Sequence, residues 1–186
     1  MVNSIFSSCS YVLSSNHCSW LVDCGDVDRI LPLVDGPLCG VLLTHAHFDH
    51  IYGLNRLHAV LPDVPVYTNQ QGSDGLLNDK INLSRYHENP FVMDNPGMIR
   101  VIEDGETIRV FDNVSVRAVF TPGHCPSCVT WVTDDAVFTG DSFIPGVKTV
   151  TILPHADKAL ASQSEQLIQE LLDHRTIYPG HEIIEE

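Results

Sequence analysis

The spacing of hydrophobic positions changes along the chain. Near the start, apolar residues come in short bursts: Tyr11–Ser14, Ser19–Asp23 and Val41–Thr44 are rich in Val, Leu, Trp and Tyr, and Asn16, Gly25, Pro37 and Gly40 separate them. Short runs of this composition bounded by turn formers predict strands. The period then lengthens, with Ile51, Leu54, Leu57, His58 and Leu61 recurring at helical spacing until Pro62 closes the segment. Pro65–Thr68 predicts another short strand and Gln70–Asn78 a helix. Lys80–Gly97 reads as a long loop, with Asn89-Pro90 and Asn95-Pro96-Gly97 as turn chemistry. Long loops in compact domains often bind something.

In the second half, Thr107–Phe111, Val114–Phe120, Val129–Thr133 and Ala136–Thr139 alternate or run apolar, with Asp112-Asn113 and Asp134-Asp135 as hairpin-like turns. This predicts a β meander. Asp157 is placed to cap a helix whose Leu160, Leu167, Ile168, Leu171 and Leu172 make an apolar stripe. Arg175–Tyr178 predicts a last short strand running into Pro179-Gly180-His181. No internal repeat, low-complexity run or linker interrupts the pattern. Strands and helices in two similar halves suggest sheets packed face to face with helices outside. At 186 residues and 44% hydrophobic, the chain suits one domain spanning residues 1–186.

Charge narrows the partners. A formal charge of −14, from 24 acidic against 10 basic residues with no Lys/Arg cluster, should repel phosphate backbones, so nucleic acid is not an expected partner. No run of eighteen apolar residues and no export signal occur, so no membrane partner is expected and the expected location is cytoplasmic. A small-molecule substrate is the expected partner, and a homo-oligomer through an apolar patch stays open. The six cysteines are expected to be free thiols, with Cys24 and Cys39 as small buried hydrophobes. Cys125-Pro126-Ser127-Cys128 follows His124 directly and leaves three readings open: a redox pair, a soft metal site, or small packing residues.

The chemistry concentrates in T-H-A-H-F-D-H at residues 44 to 50, where an apolar strand stops and a helix starts. His45, His47, Asp49 and His50 put three imidazoles and a carboxylate into six residues, a density that points to borderline first-row metal ions. Three more segments are built alike: V-F-T-P-G-H presents His124, V-F-T-G-D-S presents Asp141 and I-Y-P-G-H-E presents His181. In each, an apolar β segment enters a glycine-containing turn, which lets the backbone pass close to an ion. Seven candidate ligands suit two ions better than one.

These four segments, in this order and spacing, resemble the metallo-β-lactamase fold superfamily across nearly the whole chain, most closely its glyoxalase II-like (hydroxyacylglutathione hydrolase-like) branch. The resemblance implies an α/β (α+β) fold, a four-layer αββα sandwich of two mixed β-sheets flanked by helices. It carries His45, His47 and His124 to one metal and Asp49, His50 and His181 to another, with Asp141 bridging both. Asp23, in L-V-D-C-G-D, matches the family's early structural aspartate. Two divalent ions are implied, zinc first by ligand type, with iron or manganese also suited to such donors. The implied activity is hydrolysis of an ester, thioester or lactone by a hydroxide bridging the two ions, with Asp49 as catalytic residue orienting it and handling a proton. The 80–97 loop offers Arg85, Tyr86, His87 and Phe91 to a substrate, and the 142–155 segment offers Phe143, Lys148 and His155.

Departures from the family bear on specificity. The best-known β-lactamases place cysteine where Asp141 stands, and flavodiiron oxidoreductases place glutamate where His47 stands. Glyoxalase II proper continues into a helical glutathione-binding domain, whereas this sequence stops five residues after His181, so an acyl-glutathione substrate is not carried over. A persulfide dioxygenase-like protein, with one iron on two histidines and an aspartate, is the alternative enzyme. It is favoured by the cysteines near His124 and disfavoured by Ser142–Val150, which lacks an Arg-rich stretch. A non-catalytic metal-binding regulatory module on the same fold is the third reading.

Overall fold

The computed structural model describes residues 1–15 and 18–182. Asn16, expected as a turn residue, lies outside the described residues. The first sheet holds β1 (Tyr11–Ser14), β2 (Ser19–Val22), β3 (Leu38–Leu42), β4 (Val66–Thr68) and β5 (Ile99–Val101), in that spatial order. β1 and β2 are antiparallel and the later neighbours parallel, so chain must cross over between them. α1 (Val27–Ile30), α2 (Phe48–Ile51), α3 (Leu54–Val60) and α4 (Gln70–Leu76) lie in those crossovers.

The second sheet contains the expected meander: β6 (Thr107–Phe111), β7 (Val114–Phe120), β8 (Val129–Val132) and β9 (Ala136–Gly140) pair antiparallel in sequence. After α5 (Lys158–Leu172), β10 (Thr176–Pro179) joins β9 in parallel.

Alternation along the strands divides the apolar residues into three cores. Trp20, Val22 and Leu42 meet Val116, Ala118, Val129, Trp131 and Phe138 between the sheets. On the outer face of the first sheet, Leu21, Val41 and Leu43 meet Ile51, Leu54, Leu57 and Leu76. Behind the second sheet, Val119, Val132 and Val137 pack on Leu171 and Leu172 of α5. Three cores between four layers make the αββα sandwich, each buried aliphatic side chain contributing about 1.5–3 kcal/mol. The sheets are also tied by Trp131, whose indole N–H donates to Leu43 O at 2.9 Å.

Several expectations need correction. β3 begins at Leu38 rather than Val41, because Gly40 packs under Trp20, where a Cβ would lie 2.4 Å from the ring. The helix expected from Ile51 to Leu61 is two helices that begin at Phe48 and break at Tyr52-Gly53. Gly53 lies so close to Gly25 that a Cβ would sit 2.0 Å from its carbonyl oxygen. β5 and α1 escaped the pattern, being too short to show a period. Within the 80–97 loop, Phe91 and Met93 are buried in the first core, and the Asn82 amide donates to Gly75 O at 2.9 Å and Phe91 O at 3.0 Å. The buried face of α5 is Ala161, Ser164 and Ile168, while Leu160 and Leu167 are 39% and 38% exposed. Small residues face inward there because the helix start presses on Gly123, whose Cβ would meet Ala161 N at 2.2 Å.

Candidate metal centre

The site assembles at the C-terminal ends of β3, β7, β9 and β10, and Asp23 organises its first part. This residue follows β2 with φ +57, a left-handed conformation that aspartate tolerates better than most. One carboxylate oxygen accepts the Thr44 N–H at 2.7 Å; the other accepts the Thr44 hydroxyl at 2.7 Å and the His50 Nδ1–H at 2.8 Å. The 44–50 loop is thereby folded back, with His45 and His50 fully buried. Asp23 thus supports ligands rather than acting as one.

The remaining turns are brought close by glycine. Gly140 (φ +52) lies against Thr44, where a Cβ would approach the threonine Cβ to 2.5 Å. Gly180 lies against Asp141, where a Cβ would come within 2.1 Å of Oδ1. Bulkier residues at these points would separate the loops.

All seven expected ligands converge. Asp141 Oδ2 is 3.3 Å from His181 Nε2, 3.5 Å from His124 Nε2 and 4.0 Å from His45 Nε2, and Oδ1 is 3.5 Å from His50 Nε2. Asp49 Oδ2 is 3.4 Å from both His50 Nε2 and His181 Nε2. Three groupings have ligand atoms within 4.8 Å of one another: His45, His47 and His124; His45, His50 and Asp141; Asp49, His50 and His181.

The rings are held by their far sides. Thr44 gives its hydroxyl hydrogen to Asp23, so its oxygen accepts from His45 Nδ1, 3.1 Å away. His124 Nδ1 reaches Val150 O and His181 Nδ1 reaches Phe6 O, each at 3.0 Å. With His50 held by Asp23, four imidazoles use Nδ1–H as a donor and turn Nε2 inward, the arrangement that orients histidine ligands on metals. His47 presents Nδ1 instead, 2.9 Å from His124 Nε2.

The donor set fits cations. Nε2 of His45 and His50 and Oδ1 of Asp141 are buried without a hydrogen-bond partner, and such groups are costly unless something pairs with them. Titration points the same way. Burial alone would raise the carboxyls of Asp49 and Asp141, but His50 and the neighbouring imidazoles hold both below the usual range. Burial opposes a charge on His181, yet hydrogen bonds to Asp141 and Asp49 push it up to about 10. His45, desolvated and ringed by imidazoles, is pushed well down. Two ionised carboxylates among these nitrogens favour positive charge, which protons on His50 and His181 supply in the bare centre and divalent ions can replace.

Other residues expected near a substrate are dispersed. Arg85 pairs with Asp79 at 2.8 Å, Tyr86 is exposed, Phe91 is core, and His87 packs at a tilt against Phe48 with ring centres 4.4 Å apart. His155 instead lines a cavity of about 180 Å³ beside His47, together with Ala46, Ile81, Cys125 and Pro154. The carbonyls of Phe6 and Val150 went unnoticed in the sequence, since a backbone acceptor leaves no residue-type signal. All six cysteines are free, as expected; Cys24 is buried, whereas Cys39 is partly exposed.

Comparison with known proteins agrees with this geometry. The pattern of the metallo-beta-lactamase superfamily matches residues 7–181. A hydroxyacylglutathione hydrolase of Pseudoalteromonas translucida (strain TAC 125) is 29% identical over 136 residues, 72% of this chain. The chain spans 44% of that relative's length. Among solved structures, the BLEG-1 B3 metallo-beta-lactamase superposes with a TM-score of 0.87 at 22% identity, covering 98% of this chain and 90% of that one. TTHA1623 in a di-iron-bound form gives 0.81 at 24% identity, covering 98% and 91%. With the fold, the four ligand-bearing turns and the family pattern in agreement, this chain belongs to the metallo-β-lactamase superfamily.

Proposed function

We propose that the chain is a dinuclear metal-dependent hydrolase acting on an ester, thioester or lactone of a small molecule. The observation that carries this reading is the position of Asp141, whose two oxygens lie within 4.0 Å of Nε2 of four histidines drawn from three separate turns. A carboxylate so placed can serve two ions at once. His45, His47 and His124 would hold one ion, and Asp49, His50 and His181 the other. Zinc suits these donors first, with iron or manganese as substitutes. Bound together, two such ions supply a water that ionises at neutral pH and a Lewis acid for the carbonyl under attack.

The protein's own groups divide the remaining work. Asp49, held low by His50 and His181, stays ionised and can orient the attacking water by accepting its hydrogen bond. Its backbone is fixed by the Ser8 hydroxyl, which donates to Asp49 O at 2.7 Å. The cavity beside His47, at about 180 Å³, is smaller than the roughly 300 Å³ at which whole-ligand pockets begin. Its walls of Ala46, Ile81 and Pro154 suit one apolar arm of a substrate. A hydroxyacylglutathione hydrolase among the relatives supports the thioester choice.

A panel of thioesters, esters and lactones offered to metal-loaded protein tests the reading. Turnover of one such class, lost in Asp141→Ala and His47→Ala, is expected. Thiol-dependent oxygen uptake with one iron per chain, and no hydrolysis, would replace it with a dioxygenase.

A further inference from the structure

We infer that Cys125 and Cys128 are an oxidation site, closing reversibly to a disulfide that loosens the metal held by His47 and His124. The two sulfurs are 3.4 Å apart across a tight turn closed by Cys128 N–H to Cys125 O, also at 3.4 Å. A covalent bond of about 2.05 Å therefore needs side-chain rotation and a small turn adjustment rather than refolding. The soft-metal reading loses ground, because no grouping of three metal-type side chains among the described residues includes a cysteine. Simple packing leaves unexplained why Cys125 faces the cavity that borders His47, where a small oxidant can reach it.

Hydrogen peroxide is the oxidant class that fits. The Cys125 sulfur takes one peroxide oxygen as sulfenic acid while the other leaves as water. The Cys128 sulfur then attacks the Cys125 sulfur and expels the hydroxyl as a second water. Two thiols and one peroxide become one disulfide and two waters, the two electrons passing from sulfur to oxygen.

The effect on metal follows from connectivity. Cys125 is covalently next to His124 and lines the same cavity as His47. Ser127, inside the same turn, accepts the Ala46 N–H at 3.1 Å, and Val129 N–H reaches Thr44 O at 2.7 Å. Drawing the sulfurs together therefore moves a turn pinned to the 44–50 loop on one side and to His124 on the other. Loss of such outer support lowers metal affinity roughly 10- to 100-fold.

The disulfide is independent of the proposed hydrolysis, whereas the metal effect rests on the ligand assignment above, so they are read separately. Metal-loaded full-length protein is treated with hydrogen peroxide, mapped by peptide mass spectrometry and challenged with a colorimetric chelator. The expected result is a Cys125–Cys128 link, loss of two thiols, affinity lowered by roughly 10- to 100-fold, and full reversal by dithiothreitol. In Cys128→Ser the oxidation should stop at a dimedone-trapped sulfenic acid on Cys125. A different cysteine pair, or peroxide leaving both thiols intact, overturns the oxidation site. A mapped Cys125–Cys128 link with unchanged chelator competition overturns the metal coupling.

Discussion

Asp23 and His50 meet through a 2.8 Å contact between a carboxylate oxygen and ring Nδ1, and the same carboxylate closes the loop through Thr44. The aspartate holds His50 from its far side and stands in none of the ligand groupings itself, yet it decides which nitrogen of His50 faces the centre. Asp23→Asn keeps the shape and removes one strong acceptor. We expect affinity for the ion on the Asp49, His50 and His181 side to fall roughly 10- to 100-fold, with the fold retained. Chelator competition measures this, and an unchanged affinity would remove Asp23 from the support of the site.

Two glycines separate folding from metal binding. Gly123→Ala places a methyl 2.2 Å from the backbone of α5 at φ +140, so it should destabilise the whole protein by about 2–4 kcal/mol, read as a lower melting temperature. Gly180→Ala aims its methyl at Asp141 Oδ1, so it should lower metal content by more than it lowers the melting temperature of stripped protein. Equal effects on both readouts in both variants would contradict the assignment.

Stability of metal-stripped protein should depend on pH in a direction set by the imidazoles. His181 is raised from 6.5 to about 10, so its contribution is complete below about pH 6.5 and lost as pH climbs toward 10. The lowered carboxyls of Asp49 and Asp141 contribute above about pH 4 and lose that contribution on acidification through their folded values. The melting temperature of stripped protein should therefore fall between pH 6.5 and 10. Metal-loaded protein should hold steady there, because cations replace the protons; parallel curves would count against cations in this centre.

The cavity beside His47 makes a prediction about specificity. Ile81→Trp fills space without replacing a candidate ligand, and it should reduce kcat/KM for longer acyl chains while sparing acetyl esters or thioesters. A uniform change across chain lengths would place the apolar arm elsewhere.

Much of the architecture could be read from the chain because burial dictates it. The meander segments alternate or run apolar, so their strands could be read from spacing, whereas the facing of Val116, Ala118 and Trp131 toward the other sheet is seen only in the fold. The ligands were legible for a different reason: imidazoles and carboxylates crowd into residues 44–50, and three glycine turns repeat one design. What stayed hidden depends on packing partners distant in sequence. Gly40 is spelled like a breaker but sits mid-strand under Trp20, and Leu160 looks apolar-faced until Gly123 pulls Ala161 inward. The carbonyls of Phe6 and Val150 that aim His181 and His124 have no sequence signature at all.

The most direct test is the rate of thioester, ester or lactone hydrolysis by metal-stripped protein as zinc is returned in measured equivalents. The dinuclear account predicts a rate that rises until two equivalents per chain are bound and then stays level. A rate complete at one equivalent, or no hydrolysis at any loading, would contradict it.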